Sequence, residues 1–392
     1  MADFIQGVNL GNWLVLEKWM SPQTFAGSDA DDEYYLPRTL DTATYAARIA
    51  QHRAEYISER DFVLLKAMGI NSVRIPVPYF IFGDREPFIG CIADLDNALA
   101  WGAHYGISVL IDLHTAPMSQ NGFDNGGIQG VCRFSQLPNE VEYVLTVLER
   151  LAQRYGSHPA LYGIQILNEP ITERLWQTMN VPGRYPPRDP DLARGSAPNS
   201  MSFLRDFYTE AYARIAPHLG AGKKVVLHDG FELLAWQDFM VDRAKYPNVV
   251  LDTHQYLMMA EIGGCEQKLE SYLDYLEHKL APQYQEAAAV HDVICGEWCL
   301  FNSLACGYDT KGGQSVLNGV TAGAESGGLS LEERTAIYQE LNRAQMKVWH
   351  LGVGQYYWNY KILFDTVNST NWRGWDAWDA GRSYAFNWFK PL

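Results

Sequence analysis

Eight short apolar or β-branched runs recur along this chain, separated by stretches with helical spacing, and this alternation most restricts the folds open to it. The runs are residues 4–10, 72–75, 107–113, 161–167, 224–227, 249–252, 292–295 and 354–358. Between them, residues 59–68, 95–105 and 141–155 carry apolar side chains at helical spacing. Each stops before a glycine (Gly69, Gly106, Gly156), which reads as a helix C-cap. Residues 201–219 and 331–351 are the longest helical stretches. Strand, helix, glycine, strand, repeated eight times, predicts an α/β chain closed into a single (β/α)8 TIM barrel. At 392 residues, 47% of them hydrophobic, there is ample length for such a core. No linker demands a second domain, so one domain over residues 1–392 is expected. Two insertions, residues 171–200 and 302–330, predict long loops after strands 4 and 7. Loops there would rim a pocket, although a surface loop without a role is an equal reading of 302–330.

The formal net charge of -15 argues against nucleic acid, which requires a basic footprint, and against an anionic membrane surface. No stretch approaches the roughly 18 consecutive apolar residues of a membrane span. The N-terminus lacks a basic segment followed by an apolar core, so no secretory signal is read there. The six cysteines form no Cys-x-x-Cys pair and no histidine cluster has zinc-finger spacing, so no metal site is predicted. A reduced, cytoplasmic protein is the expectation, with a Cys299–Cys306 disulfide as the alternative.

The strand ends carry the chemistry. Residues 161–167 stop at Asn168-Glu169-Pro170, and residues 292–295 stop at Gly296-Glu297-Trp298. A carboxylate at the C-terminal end of a barrel strand reads as catalytic, because active sites collect on that face. Two carboxylates facing one pocket are the equipment of a glycosidase, one acid/base and one nucleophile or base. Either Glu alone reads equally well as a turn cap or an arginine partner. The other strand ends shift the balance: Asn9, Asn12 and Glu17; Arg74; Asp112 and His114; His228 and Asp229; His254 and Tyr256; Trp358 and Asn359. Singly, most read as packing or ion pairs; jointly, they favour a site for a polar ligand.

In such a site Arg74 beside Glu297 would hold the nucleophile ionised, with the Tyr256 hydroxyl as a second donor. Glu169, as the acid, needs a raised pKa, which charge on the nucleophile supplies. Asn168 suits a sugar 2-hydroxyl. Trp358 offers a ring face for a pyranose, and Glu17, Asp124 and Asn125 suit outer hydroxyls. An inactive sugar-binding module is the alternative from another class. A metal-dependent hydrolase on His114, His228 and His254 lacks a His-Glu-x-x-His pattern.

These residues resemble glycoside hydrolase family 5. Asn168-Glu169-Pro170 matches its acid/base signature and Glu297 its nucleophile strand. Arg74, His114, His254, Tyr256 and Trp358 fall in that family's order. Within it the chain is similar to the exo-β-1,3-glucanase branch through Asn12-Trp-Leu-Val-Leu-Glu17, Asp32-Glu-Tyr34, Arg74-Ile-Pro76 and Ser119-Gln-Asn-Gly-Phe-Asp-Asn125. The resemblance implies a (β/α)8 fold, retention of configuration, no cofactor, an oligosaccharide substrate, and exo attack in a pocket holding one terminal sugar. Fungal members clamp the aglycone sugar between two Phe. Phe123 matches one of them, and Met259 stands at the other position. Ile362-Leu363 also replace polar residues. With the missing signal, these departures tilt the expectation toward an intracellular β-mannosidase. The alternatives are an exo-β-1,3-glucanase or β-glucosidase, and an endo-acting β-glucanase or mannanase.

Overall fold

The computed structural model describes residues 4–306, 329–363 and 375–390. Its strands are β1 (Ile5–Asn9), β2 (Ser72–Val77), β3 (Ser108–Leu113), β4 (Leu161–Gln165), β5 (Lys224–His228), β6 (Val249–His254), β7 (Asp292–Trp298) and β8 (Gly354–Tyr357). Each pairs in parallel with its sequence neighbours, and β8 closes on β1. The expected (β/α)8 barrel is therefore the fold, and its C-terminal rim is where a site is built. Among the described residues no helix is long and apolar enough to cross a membrane.

Alternation along the strands decides what the barrel holds. Ile5, Leu110, Val226, Val250, Ile294 and Tyr356, from six different strands, form an apolar cluster separate from the main core. Val73, Ile75, Val109, Ile111 and Ile164 belong to that main core, with the apolar faces of the helices. A strand repeats its face every two residues. Stepping from the inner cluster toward the strand ends therefore gives Leu110 then Asp112, Val226 then His228, and Val250 then Asp252 then His254. The inward face changes from apolar to polar within one step, and the polar layer is fully buried.

The helices follow the sequence expectation with shifted starts. Glu59–Ala67 carries a capping box of Ser58 and Asp61, and Pro138–Tyr155 begins on a proline at its first turn, where the missing N–H costs nothing. Gly69 and Gly106 end their helices with φ of 82° and 68°, as left-handed caps. Gly156 does not: it stays right-handed at φ -56°. It is a glycine because an added Cβ would lie 2.0 Å from the His218 carbonyl oxygen. The helix Thr42–Tyr56, capped by Asp41, was not read from the sequence. Neither was the helical run from Leu269 to Ala288, where a π-type turn over Tyr275–Leu280 precedes Pro282. A proline inside a periodic stretch reads as a break, and here the widened turn accommodates it.

The loop after β4 is ordered into three short helices, Glu173–Thr178, Val181–Arg184 and Pro190–Ala193. Most of the loop expected after β7, with Tyr308, lies outside the described residues. Cys299 is a buried free thiol, so the bridge that the sequence leaves open is not formed.

Strand β1 crosses β8 with Gly7 opposite Tyr356. A Cβ on Gly7 would lie 2.2 Å from the Tyr356 ring. Gly7→Ala is therefore expected to destabilise the barrel by about 1–3 kcal/mol, the range for overpacking a core. Thermal unfolding of the variant measures this, and an unchanged midpoint would contradict the packing described.

Candidate active site

Arg74 on β2 has no exposed surface, so its charge must be met inside the barrel. Its Nε donates to Gln165 (2.8 Å), and one terminal nitrogen donates to Asn9 (2.9 Å) and to Glu297 (2.8 Å). The other donates to Asn168 Oδ1 at 2.7 Å and lies 3.0 Å from Asp112. One guanidinium thus ties together residues from the ends of β1, β3, β4 and β7. Tyr256, just past β6, donates its hydroxyl to the second Glu297 oxygen at 2.7 Å.

Glu169 follows β4 with a left-handed backbone at φ 44°. That conformation is costly for a side-chain-bearing residue and persists only where its surroundings hold it. The neighbouring Asn168 N–H donates to Leu113, and Gln120 donates to the Asn168 carbonyl. The Glu169 carboxylate accepts from Asn125 Nδ2 and from His254 Nδ1, each at 2.8 Å. The same imidazole nitrogen lies 3.5 Å from Glu297. The nearest oxygens of the two carboxylates are therefore no farther apart than those two nitrogen distances combined. That is below the roughly 6.5 Å where the inverting arrangement begins, and it suits the closer retaining pair.

His254 is held in turn by Asp252, 3.2 Å from its Nε2. Asp252 also accepts from Gln165 and from the Gly296 N–H at 2.6 Å. Gly296 has no room for a side chain, since a Cβ would meet the Asp252 carboxylate at 2.3 Å. On the opposite side, His114 donates Nδ1–H to Asp112 at 2.6 Å and stacks parallel to Trp358, centroids 5.7 Å apart.

The pocket above these groups spans about 760 Å³, counted with the solvent space at its open mouth. Glu17, Phe123, Asp124, Asn125, Glu169, Tyr256, Glu297 and Trp358 line it. Arg74, His114, Asn168 and His254 do not; they brace the residues that do. Sequence reasoning missed Trp19, Leu175, Met179, Phe231, Met258, Trp375 and Trp378 in the lining. The last two follow β8 in a segment without strand or motif, so only their apolar bulk was visible. Asp252 was also missed, because it reads as the tail of the apolar run 249–252, whereas β6 continues two residues past it to His254.

Burial and the neighbouring Asp124 raise the Glu17 pKa well above the usual carboxyl value. One of its oxygens accepts from Trp19 and the other has no protein partner. Asp124 is pushed up to about 6 by burial. Both are placed to accept from hydroxyls of a bound polar ligand.

The structure reverses the sequence expectation for the two glutamates. Burial acts to raise the pKa of both. At Glu169 the His254 and Asn125 hydrogen bonds outweigh it, and the group falls below the usual value. At Glu297, burial together with the Glu169 charge outweighs His254 and Arg74, and the group rises. His254 is raised, because Glu297, Asp252 and Glu169 together outweigh burial. The position of one imidazole proves decisive, and it is set by β6.

Glu169, His228 and His254 each offer a ligand atom, all within 4.8 Å of one another. His254 already spends both nitrogens on carboxylates, and burial keeps His228 neutral with its Nδ1 accepting from Gly230. A cation there would have to break the His254–Glu169 bond.

A closed parallel barrel with paired, bridged carboxylates at its C-terminal rim defines a retaining glycoside hydrolase. A sequence model described as Cellulase (glycosyl hydrolase family 5) matches residues 42–303, and the chain belongs to that family. It is 34% identical to a probable glucan 1,3-beta-glucosidase A of Emericella nidulans, over 92% of this chain and 86% of that protein. It is 30% identical to a glucan 1,3-beta-glucosidase of Candida oleophila, over 92% and 84%. A rutinosidase structure from Aspergillus niger superposes with a TM-score of 0.71 at 19% identity, covering 99% of this chain and 98% of that one, which shows the shared fold.

His254 lowers both glutamate pKa values, so its removal lets both rise. His254→Gln is therefore expected to move both limbs of the pH profile of kcat/KM to higher pH, as macroscopic values of the coupled set. A profile that stays in place or moves to lower pH would contradict the bridging role.

Proposed function

We propose that this chain is an exo-acting β-glucosidase that releases one terminal glucosyl unit by double displacement. Glu297 is the nucleophile and Glu169 the acid/base. The observation that carries the assignment is the single His254 nitrogen lying 2.8 Å from Glu169 and 3.5 Å from Glu297, since it keeps their nearest oxygens below the roughly 6.5 Å where inverting separations begin. Glu297 attacks the anomeric carbon while Glu169 protonates the departing oxygen. Glu169 then takes a proton from the water that frees the sugar. Arg74 and Tyr256 hold the attacking carboxylate in place. The proton that Glu169 delivers belongs to the hydrogen-bonded Glu169–His254 pair, and it becomes available when it moves from nitrogen to oxygen.

Exo action is favoured by aromatic walls: Trp19 packs against Trp378 and Trp375 with centroids 5.5 and 6.0 Å apart, and all three line the pocket. A long polymer chain would need an open cleft there. Glucose is favoured over mannose by the relatives, which carry glucan 1,3-beta-glucosidase names over nearly the whole chain. The mannoside preference expected from the sequence finds no support among them.

Early-time sugar release from glucosyl-β-1,3-glucose and mannosyl-β-1,4-N-acetylglucosamine tests the reading. Glucose from the first is expected. Mannose from the second alone would overturn the glucoside assignment, and early oligosaccharide products from glucan would overturn exo action. Glu297→Ala should lose activity by several orders of magnitude on every substrate, because a covalent step cannot proceed without its nucleophile. Glu169→Ala should be far more severe on disaccharides than on dinitrophenyl glucosides, whose leaving group needs no acid.

A further inference from the structure

The pocket has two unlike halves. The loops after β1 and β3 bring Glu17, Asp124 and Asn125. The loops after β4, β5 and β6 bring Leu175, Met179, Phe231, Met258 and Met259. Beyond Glu169 itself and the Tyr256 that serves Glu297, their one polar contribution to the lining is the Tyr185 phenol, whose ring packs on Phe123 at 5.2 Å. Leu175 and Met179 belong to a hydrophobic cluster of their own, with Phe231 and Met259 packed against it, while Met258 belongs to the main core. The backbone commits to it as well: Phe231 sits at φ 64°, an unfavourable conformation for an aromatic residue, held by Asp229 accepting from its N–H at 2.7 Å.

The apolar half lies on the side of the acid, because Glu169 opens the same loop that carries Leu175 and Met179. The acid protonates the departing oxygen, so the leaving group is the part of the substrate that meets this wall. A second sugar can stack a ring face on Phe123, but this wall offers its hydroxyls only the Tyr185 phenol, whereas an apolar alcohol brings none that need partners. An anionic leaving group would enter a pocket lined, among the described residues, by four carboxyls and no cation. Methionine side chains adapt to irregular or flat apolar shapes.

We propose that the leaving-group side of this pocket takes a neutral apolar alcohol, so that β-glucosides of arylalkyl alcohols are cleaved in preference to glucosyl-glucose. This rests on the exo-β-glucosidase reading above. The reaction needs no co-reactant beyond water. The anomeric C–O bond breaks as Glu297 bonds to that carbon and the Glu169 proton passes to the alcohol oxygen. Water then displaces Glu297 and returns a proton to Glu169, giving sugar and free alcohol.

The experiment compares kcat/KM for three substrates of the purified protein: β-glucosyl fluoride, 2-phenylethyl β-glucoside and glucosyl-β-1,3-glucose. Phenylethanol is a weaker acid than a sugar hydroxyl, so leaving-group chemistry alone favours the disaccharide. The phenylethyl glucoside is nevertheless expected to react faster by about tenfold or more, the order that burying one ring supplies. Fluoride is too small to touch the apolar wall and reports the glucosidase reading by itself. Glucose from fluoride, with the disaccharide equal or faster, overturns this inference alone. No glucose from fluoride overturns the parent reading and this one with it. In Met179→Asn and Met259→Asn the ratio of phenylethyl to fluoride activity should fall severalfold, and an unchanged ratio counts against the wall as the determinant.

Discussion

The buried guanidinium of Arg74 is the constraint on which the rest of the site depends. A charge with no access to water is tolerated only when its donors are all met, and breaking such a cluster is far costlier than never building it. Meeting those donors fixes Asn9, Asp112, Gln165, Asn168 and Glu297 relative to one another. These residues come from strands far apart in sequence, so the cluster ties barrel register to the placement of Glu297, the proposed nucleophile. Asn168 then carries Glu169, and the second carboxylate inherits its place from the same cation.

A second tier holds the proton. Asp252 orients His254, Gly296 leaves space for Asp252, and His254 reaches both glutamates. Arg74 acts as a fixed charge, whereas His254 can exchange its proton with a carboxylate. Rigid positioning and proton exchange are thus assigned to different strands, β2 and β6. This explains why a site rich in acids keeps a proton to donate: its carboxyls share the charges of Arg74 and His254, and burial favours the protonated forms of Glu17, Asp124 and Glu297.

The loops add selectivity to this shared floor. Glu17, Asp124 and Asn125 come from the loops after β1 and β3, Leu175, Met179, Phe231, Met258 and Met259 from those after β4 to β6, and Trp375 and Trp378 from the segment beyond β8. A barrel permits this because its rim loops vary without disturbing the strands beneath them.

The barrel was legible in the sequence because strand and helix periods are local: residues 72–75 or 292–295 read as strands without knowing their partners. Strand-end placement of Glu169 and Glu297 was legible for the same reason, as was the change from Gly69 to Ser72 at a helix end. Non-local facts were not legible. Gly156 looked like a cap and is a close contact with His218, set by packing between two loops. Asp252 looked like the tail of an apolar strand and is the support of His254. The order of the two glutamate pKa values came out reversed, because it depends on which carboxylate one imidazole touches more closely. The sequence by itself determined the fold class and which side chains reach the barrel rim, since both follow from local periodicity. Tertiary structure alone decided how those side chains share charge and protons and which half of the pocket is apolar, since these depend on distances between residues far apart in the chain.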